Sequence, residues 1–122
     1  MEGRQWKLTH SQRPWTANSE RRWHYQKRAA VVREWRTTFA WLARAQRIPS
    51  LYRVSICAQP LALSRRWRPD VAACYPAVKA AIDGLVDAGV IPDDGDAHLI
   101  ALTFLPVRVC GKEGLEITIL EE

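Results

Sequence analysis

The chain has no run of about eighteen consecutive apolar residues, so no segment of it reads as a helix able to cross a bilayer, and no membrane partner is expected. Its start, Met1-Glu2-Gly3-Arg4-Gln5-Trp6, lacks the hydrophobic region of a secretion signal. Cysteine is scarce: Cys57, Cys74 and Cys110 are odd in number and show no Cys-x-x-Cys spacing. That excludes a disulfide framework and offers zinc little to bind, so the three read as reduced thiols of a cytoplasmic protein, two of them in the core. Internal repeats and low-complexity linkers are also missing. With 122 residues, the chain is expected to form one domain, 1–122, around one core.

A further scarcity is acid in the first half. Residues 1–68 hold fifteen Lys and Arg against only Glu2, Glu20 and Glu34, whereas residues 69–122 hold three against ten Asp and Glu. The overall charge of +5 hides this polarity. Nearly all the early cations are Arg, whose planar fork suits bidentate contact with phosphate better than Lys does. A whole-half asymmetry points to a nucleic-acid partner; the competing reading is that the two halves neutralise each other across a fold or dimer interface.

What is present orders as β-α-β-α-β-β. Gln5–Ser11 alternates like a strand. A loop containing Pro14 follows, and Asn18 or Ser19 is placed to cap a helix over residues 20–46. Val31, Trp35, Phe39 and Leu42 form the apolar stripe of that helix, while Arg33, Arg36, Arg44 and Arg47 lie opposite, either solvated or along a phosphate backbone. Leu51–Ala58 reads as a strand and residues 61–69 as a loop holding Arg65, Arg66, Trp67 and Arg68. Trp67 there is a loop anchor or a platform for a base. A second helix spans Pro76–Ala88, with proline at its start, glycine just past its end, and Val78, Ala81, Ile82 and Leu85 facing inward. Gly84 within it would allow close packing against a sheet or a second subunit. Strands are expected at Leu99–Val109 and Leu115–Leu120, joined as a hairpin through Cys110–Gly114. The fold class is therefore α/β (α+β), a mixed sheet of about four strands with two main helices.

The stretch from Arg65 to His98 concentrates the chemistry: a basic cluster, Asp70, the second helix, and an acidic turn with Asp93 and Asp94. The helix would be roughly 20 Å long at 1.5 Å per residue, so Asp70 and Asp94 meet only if the acidic turn doubles back. Carboxylates gathered beside arginines are what a Mg²⁺-dependent phosphodiesterase needs, the metal taking oxygen ligands and the cations holding the polyanion. Lys79 and Asp83, four residues apart, would otherwise be an ordinary surface pair. His98 lies just past the acidic turn and has no assigned role.

At Asp70–Asp94 the chain resembles the RusA family of Holliday-junction resolvases. The resemblance rests on Asp70, on Lys79 and Asp83 four apart on a helix, and on Gly89 followed by Asp93-Asp94. Pro14 and Asn18 resemble the family's Pro-Pro-Ser-x-Asn loop, and Arg65-Arg66 its basic lead-in. It implies a cytoplasmic homodimer that cuts four-way or branched DNA with Mg²⁺ (or Mn²⁺ in its place). The implied catalytic residues are Asp70, Asp94 and Lys79, and the implied metal ligands Asp70, Asp94, Asp93 and Asp83. DNA would be held by Arg65, Arg66, Arg68, Arg33, Arg36, Arg44, Arg47 and Asn18. Ala72 and Ala73 stand where the family has a second Asp and an Asn. The loss of that carboxylate leaves a one-ion site, or a protein that binds branched or duplex DNA without cutting it.

Overall fold

The computed structural model describes residues 3–122. Its elements are β1 (Gln5–His10), α1 (Ala17–Glu20), α2 (Tyr25–Ala45), β2 (Val54–Ala62), α3 (Tyr75–Asp87), β3 (Leu99–Phe104), β4 (Arg108–Val109) and β5 (Gly114–Glu121). The sheet runs β1-β5-β2-β3, with β4 also on β2. β5 is antiparallel to both β1 and β2, while β3 and β4 run parallel to β2. This is a mixed α/β domain with three helices and five strands, slightly richer than the sequence pattern suggests.

Alternation explains which face is covered. In β5 the inward residues Leu115, Ile117 and Ile119 are fully buried, and Leu8, Val54, Ile56 and Ala58 of neighbouring strands join them. Against this face lie Trp35, Phe39 and Ala43 of α2 and Val78, Ile82 and Leu85 of α3. No polar or charged residue among those described is fully buried. Gly84 answers its question: a Cβ there would stand 2.4 Å from the carbonyl oxygen of Arg36, so the close packing is of α3 on α2.

Several boundaries differ from the sequence pattern. The helix expected over 20–46 begins only at Tyr25; a separate short helix, α1, ends at Glu20, and residues 21–24 between them are not helical. Trp23 leaves the helical path to pack 6.0 Å from Trp15, and the His24 ring accepts the Gln26 amide as the cap of α2. Thr16, not Asn18 or Ser19, caps α1, in a reciprocal box with Ser19. Arg47 is not on the helix face either. It sits beyond the C-cap with φ of 55°, and the Arg47 and Ile48 amides donate to Arg44 and Ala43.

β2 starts later than expected and runs through Pro60. The Ala58 and Ala62 carbonyls both accept from the β3/β4 side, from Leu105 and Cys110. By alternation the Pro60 nitrogen faces the same side, where β3 has ended and β4 has not begun, so no ladder bond is lost. The expected hairpin is absent because β2 lies between β3/β4 and β5, and the chain breaks pairing around Pro106. Of the cysteines only Cys74 is buried; Cys57 is half-buried and Cys110 exposed. Burial pushes the Cys74 thiol up to about 11. Among the described residues no helix is long and apolar enough to cross a membrane.

Candidate functional site

α3 is the scaffold. Its inner face is locked into the core, and it ends as the glycine predicts. Gly89 has φ of 78°, its amide donates to Val86, and that of Val90 to Leu85. Val90 and Ile91 then bury themselves, and the Leu51 amide holds the Val90 carbonyl at 2.7 Å. With that anchor the acidic turn doubles back along α3 and brings Asp94 to Lys79, fifteen residues earlier. Lys79 Nζ donates to Asp83 Oδ1 at 2.8 Å and also to Asp94 Oδ2. Partial burial pulls the Lys79 ammonium down, but the hydrogen bonds to Asp83 and Asp94 outweigh it and its pKa is raised. The Lys79 bond holds the Asp94 carboxyl below its usual range despite some burial.

Asp93 faces elsewhere. One oxygen accepts the Gly95 amide at 2.7 Å and the other stands 3.9 Å from His98 Nε2. The His98 ring is itself fixed by the Tyr52 carbonyl at 2.7 Å. Asp70 belongs to a separate cleft of about 310 Å³, lined by Thr16, Asn18, Trp67, Arg68, Pro69, Asp70 and Ala73. The Ala17 amide donates to the Ala73 carbonyl at 3.0 Å, which stitches the N-terminal loop to the segment before α3 and brings Asn18 to the cleft of Asp70. On the other side of α1 a second cleft of about 410 Å³ holds Lys79 and Asp83 together with Glu20, Arg28 and Tyr75. The short helix α1 thus borders both clefts.

The expected ligands Asp70, Asp94, Asp93 and Asp83 do not form one group. Among the described residues no three His, Cys, Asp or Glu side chains stand together in a way that could hold a metal. Asp83 and Asp94 converge on an ammonium that already neutralises them, and position 72, where the resemblance implies a second carboxylate, is alanine. As built, this donor set does not fit a resident Mg²⁺.

The arginines divide in two. Arg65, Arg66 and Arg68 are exposed, and no carboxylate among the described residues lies within 4.0 Å of them. Arg33 and Arg47 are likewise exposed and have no carboxylate within 4.0 Å among the described residues. Arg36, by contrast, grips Asp87 with two bonds of 3.0 and 2.8 Å, and Arg44 donates to the Asp87 carbonyl. The Arg36 bond holds the Asp87 carboxyl below its usual range. These two tie α2 to the C-terminal end of α3, where cations also suit the helix dipole.

Sequence reasoning passed over Arg28, Tyr75 and Arg13. Arg28 lines the Lys79 cleft from the first turn of α2. Arg13 bonds Glu113 at 2.8 Å and lies 4.9 Å over the Trp67 ring, a pairing across the whole chain that no local pattern signals. Compared with known proteins, the chain matches no family model and no curated protein, so the likeness to the RusA resolvases rests on the residues named above.

Proposed function

We propose that this protein binds branched or duplex DNA, with Arg65, Arg66 and Arg68 taking its phosphates. The observation that carries this reading is the unpaired state of those three arginines, beside a cleft that exposes Trp67, Asn18 and Asp70. Five other arginines, Arg4, Arg13, Arg28, Arg36 and Arg108, lie within 4.0 Å of a carboxylate; three exposed cations within four residues that have no such neighbour among the described residues favour an external polyanion. A homodimer would give a two-fold junction matching contacts on opposed arms. Reduced thiols suit a cytoplasmic site of action.

The test is binding of a synthetic four-way junction and of a matched duplex over a salt series. Each phosphate contact contributes about −0.9 to the slope of log affinity against log salt. A steep slope is expected. Absence of binding at low salt would remove the proposal.

A second reading, a RusA-like endonuclease resolving such junctions, has one observation in its favour: Lys79 and Asp94, two of the residues the resemblance implies as catalytic, meet across the acidic turn. Since the chain's donors do not fit a resident Mg²⁺, the ion would have to arrive with the substrate phosphate. Nicking of the junction in Mg²⁺ or Mn²⁺ by the native chain, and its loss in Asp94→Asn, is what that reading requires. Equal behaviour of the two chains leaves the binding reading alone.

A further inference from the structure

The cleft before α3 has a composition unlike a plain phosphate site. Arg68 supplies a cation, yet Asp70 places a carboxylate on the same wall, which would repel a phosphate group seated deep inside. No hydrogen bond or ion pair among the described residues engages the side chain of Asn18 or of Asp70, so an amide and a carboxylate stand free together. The third component is Trp67, half-buried in a loop of exposed arginines. Its indole is steadied by the Arg13 guanidinium 4.9 Å from the ring centre, and Arg13 is held in turn by Glu113. The remaining surface of the ring contributes to the cleft.

An aromatic plane, an amide with both donor and acceptor, a carboxylate and a peripheral guanidinium together match one nucleotide. Stacking on the plane is tolerant of base identity. Asn18 can pair with a base edge, and Asp70 accepts from an exocyclic amino group, as acidic residues do with cytosine. Arg68 then serves the phosphate on the 5′ or 3′ side. At about 310 Å³ the cleft lies at the small end of ligand pockets, suited to one extruded base and not to a duplex.

We infer that the Trp67–Asn18–Asp70–Arg68 cleft receives a single unpaired base carrying an exocyclic amine, giving the protein a preference for DNA with unstacked nucleotides. The inference rests on the DNA-binding reading and deepens it. It makes Trp67 the residue that separates branched or distorted DNA from uniform duplex.

The experiment uses the full chain and two probes: a perfect duplex, and the same duplex with one extrahelical 2-aminopurine, whose fluorescence reports stacking. The native protein is expected to bind the bulged probe more tightly and quench its fluorescence. Trp67→Leu is expected to lose roughly 5- to 150-fold on the bulged probe, the range of one base–aromatic stack, while duplex affinity stays unchanged. Trp67→Phe keeps most of the preference, which a loop-anchoring role alone would not require. Replacing the bulge with thymine, which has no exocyclic amine, weakens binding to the native chain but not to Asp70→Ala. Equal native affinity for bulged and perfect duplex overturns the inference while leaving DNA binding intact, and so does an equal loss on both probes in Trp67→Leu. Failure to bind either probe at low salt removes the DNA-binding reading itself, and the inference with it.

Discussion

The two ends of α3 carry the same kinds of side chain in opposite states. At the C-terminal end Arg36 and Arg44 close on Asp87, charge meets charge within the chain, and α2 is clamped to α3. Before the N-terminal end, Arg65, Arg66 and Arg68 have no carboxylate among the described residues, while one ammonium, Lys79, serves two. Arginine content is thus a poor guide to function here; what distinguishes the two regions is whether the fold supplies a partner. Half of the basic face expected on the long helix turned out to be structural for this reason.

The largest way to disturb the clamped end is Gly84→Ala. A methyl group 2.4 Å from the Arg36 carbonyl oxygen must push the helices apart, at a cost of about 1–3 kcal/mol in denaturant unfolding. DNA binding by the folded fraction should keep its salt dependence. Next comes the open end. Replacing Arg65, Arg66 and Arg68 together with Ala should lower the salt slope by about 2.7, three contacts at 0.9 each, with little change in melting temperature. Arg36→Ala reverses that pattern: an exposed ion pair is worth about 0.2–1 kcal/mol of stability, and the salt slope should not move.

Arg47 sharpens the comparison because it has no carboxylate partner among the described residues yet is conformationally costly. Its φ of 55° disfavours any residue with a Cβ, so Arg47→Gly should gain about 0.5 kcal/mol in stability after the glycine's own entropy is counted. If Arg47 contacts phosphate, the same variant lowers the salt slope by about 0.9. The smallest effect is acid titration of the Lys79–Asp94 contact. Because the folded Asp94 carboxyl lies below its ordinary range, its stabilising contribution is present above the unfolded pKa and fades as pH falls through the folded one. Thermal melts of the native chain and Lys79→Met should therefore converge in acid and separate near neutrality.

Much of α3 was legible in the chain itself. Proline at its start, Val78, Ala81, Ile82 and Leu85 at helical spacing and Gly89 past its end each act locally, and each holds in the structure. β5 was legible for the same reason, its strict alternation leaving only one way to face a core. The break before α2 was not, since helical periodicity passes through residues 21–24 undisturbed. There Trp23 packs 6.0 Å from Trp15, a tertiary contact that the spacing of apolar residues along one helix does not signal. The placement of β2 between β3 and β5 was hidden too, because adjacent strands in sequence suggest a hairpin and only long-range pairing decides otherwise.

The candidate site divides along the same line. Residue types, the charge polarity and the Lys79–Asp83 spacing are properties of the sequence, dictated by composition and by the pitch of one helix. That Asp94 joins Lys79 while Asp70 joins Asn18 and Trp67 was decided by tertiary structure alone. Burial of Val90 and Ile91 aims the acidic turn, and one backbone bond from Ala17 to Ala73 draws the N-terminal loop to Asp70. Neither contact has a local signature, because each depends on apolar surfaces and amides that meet only once the sheet has formed.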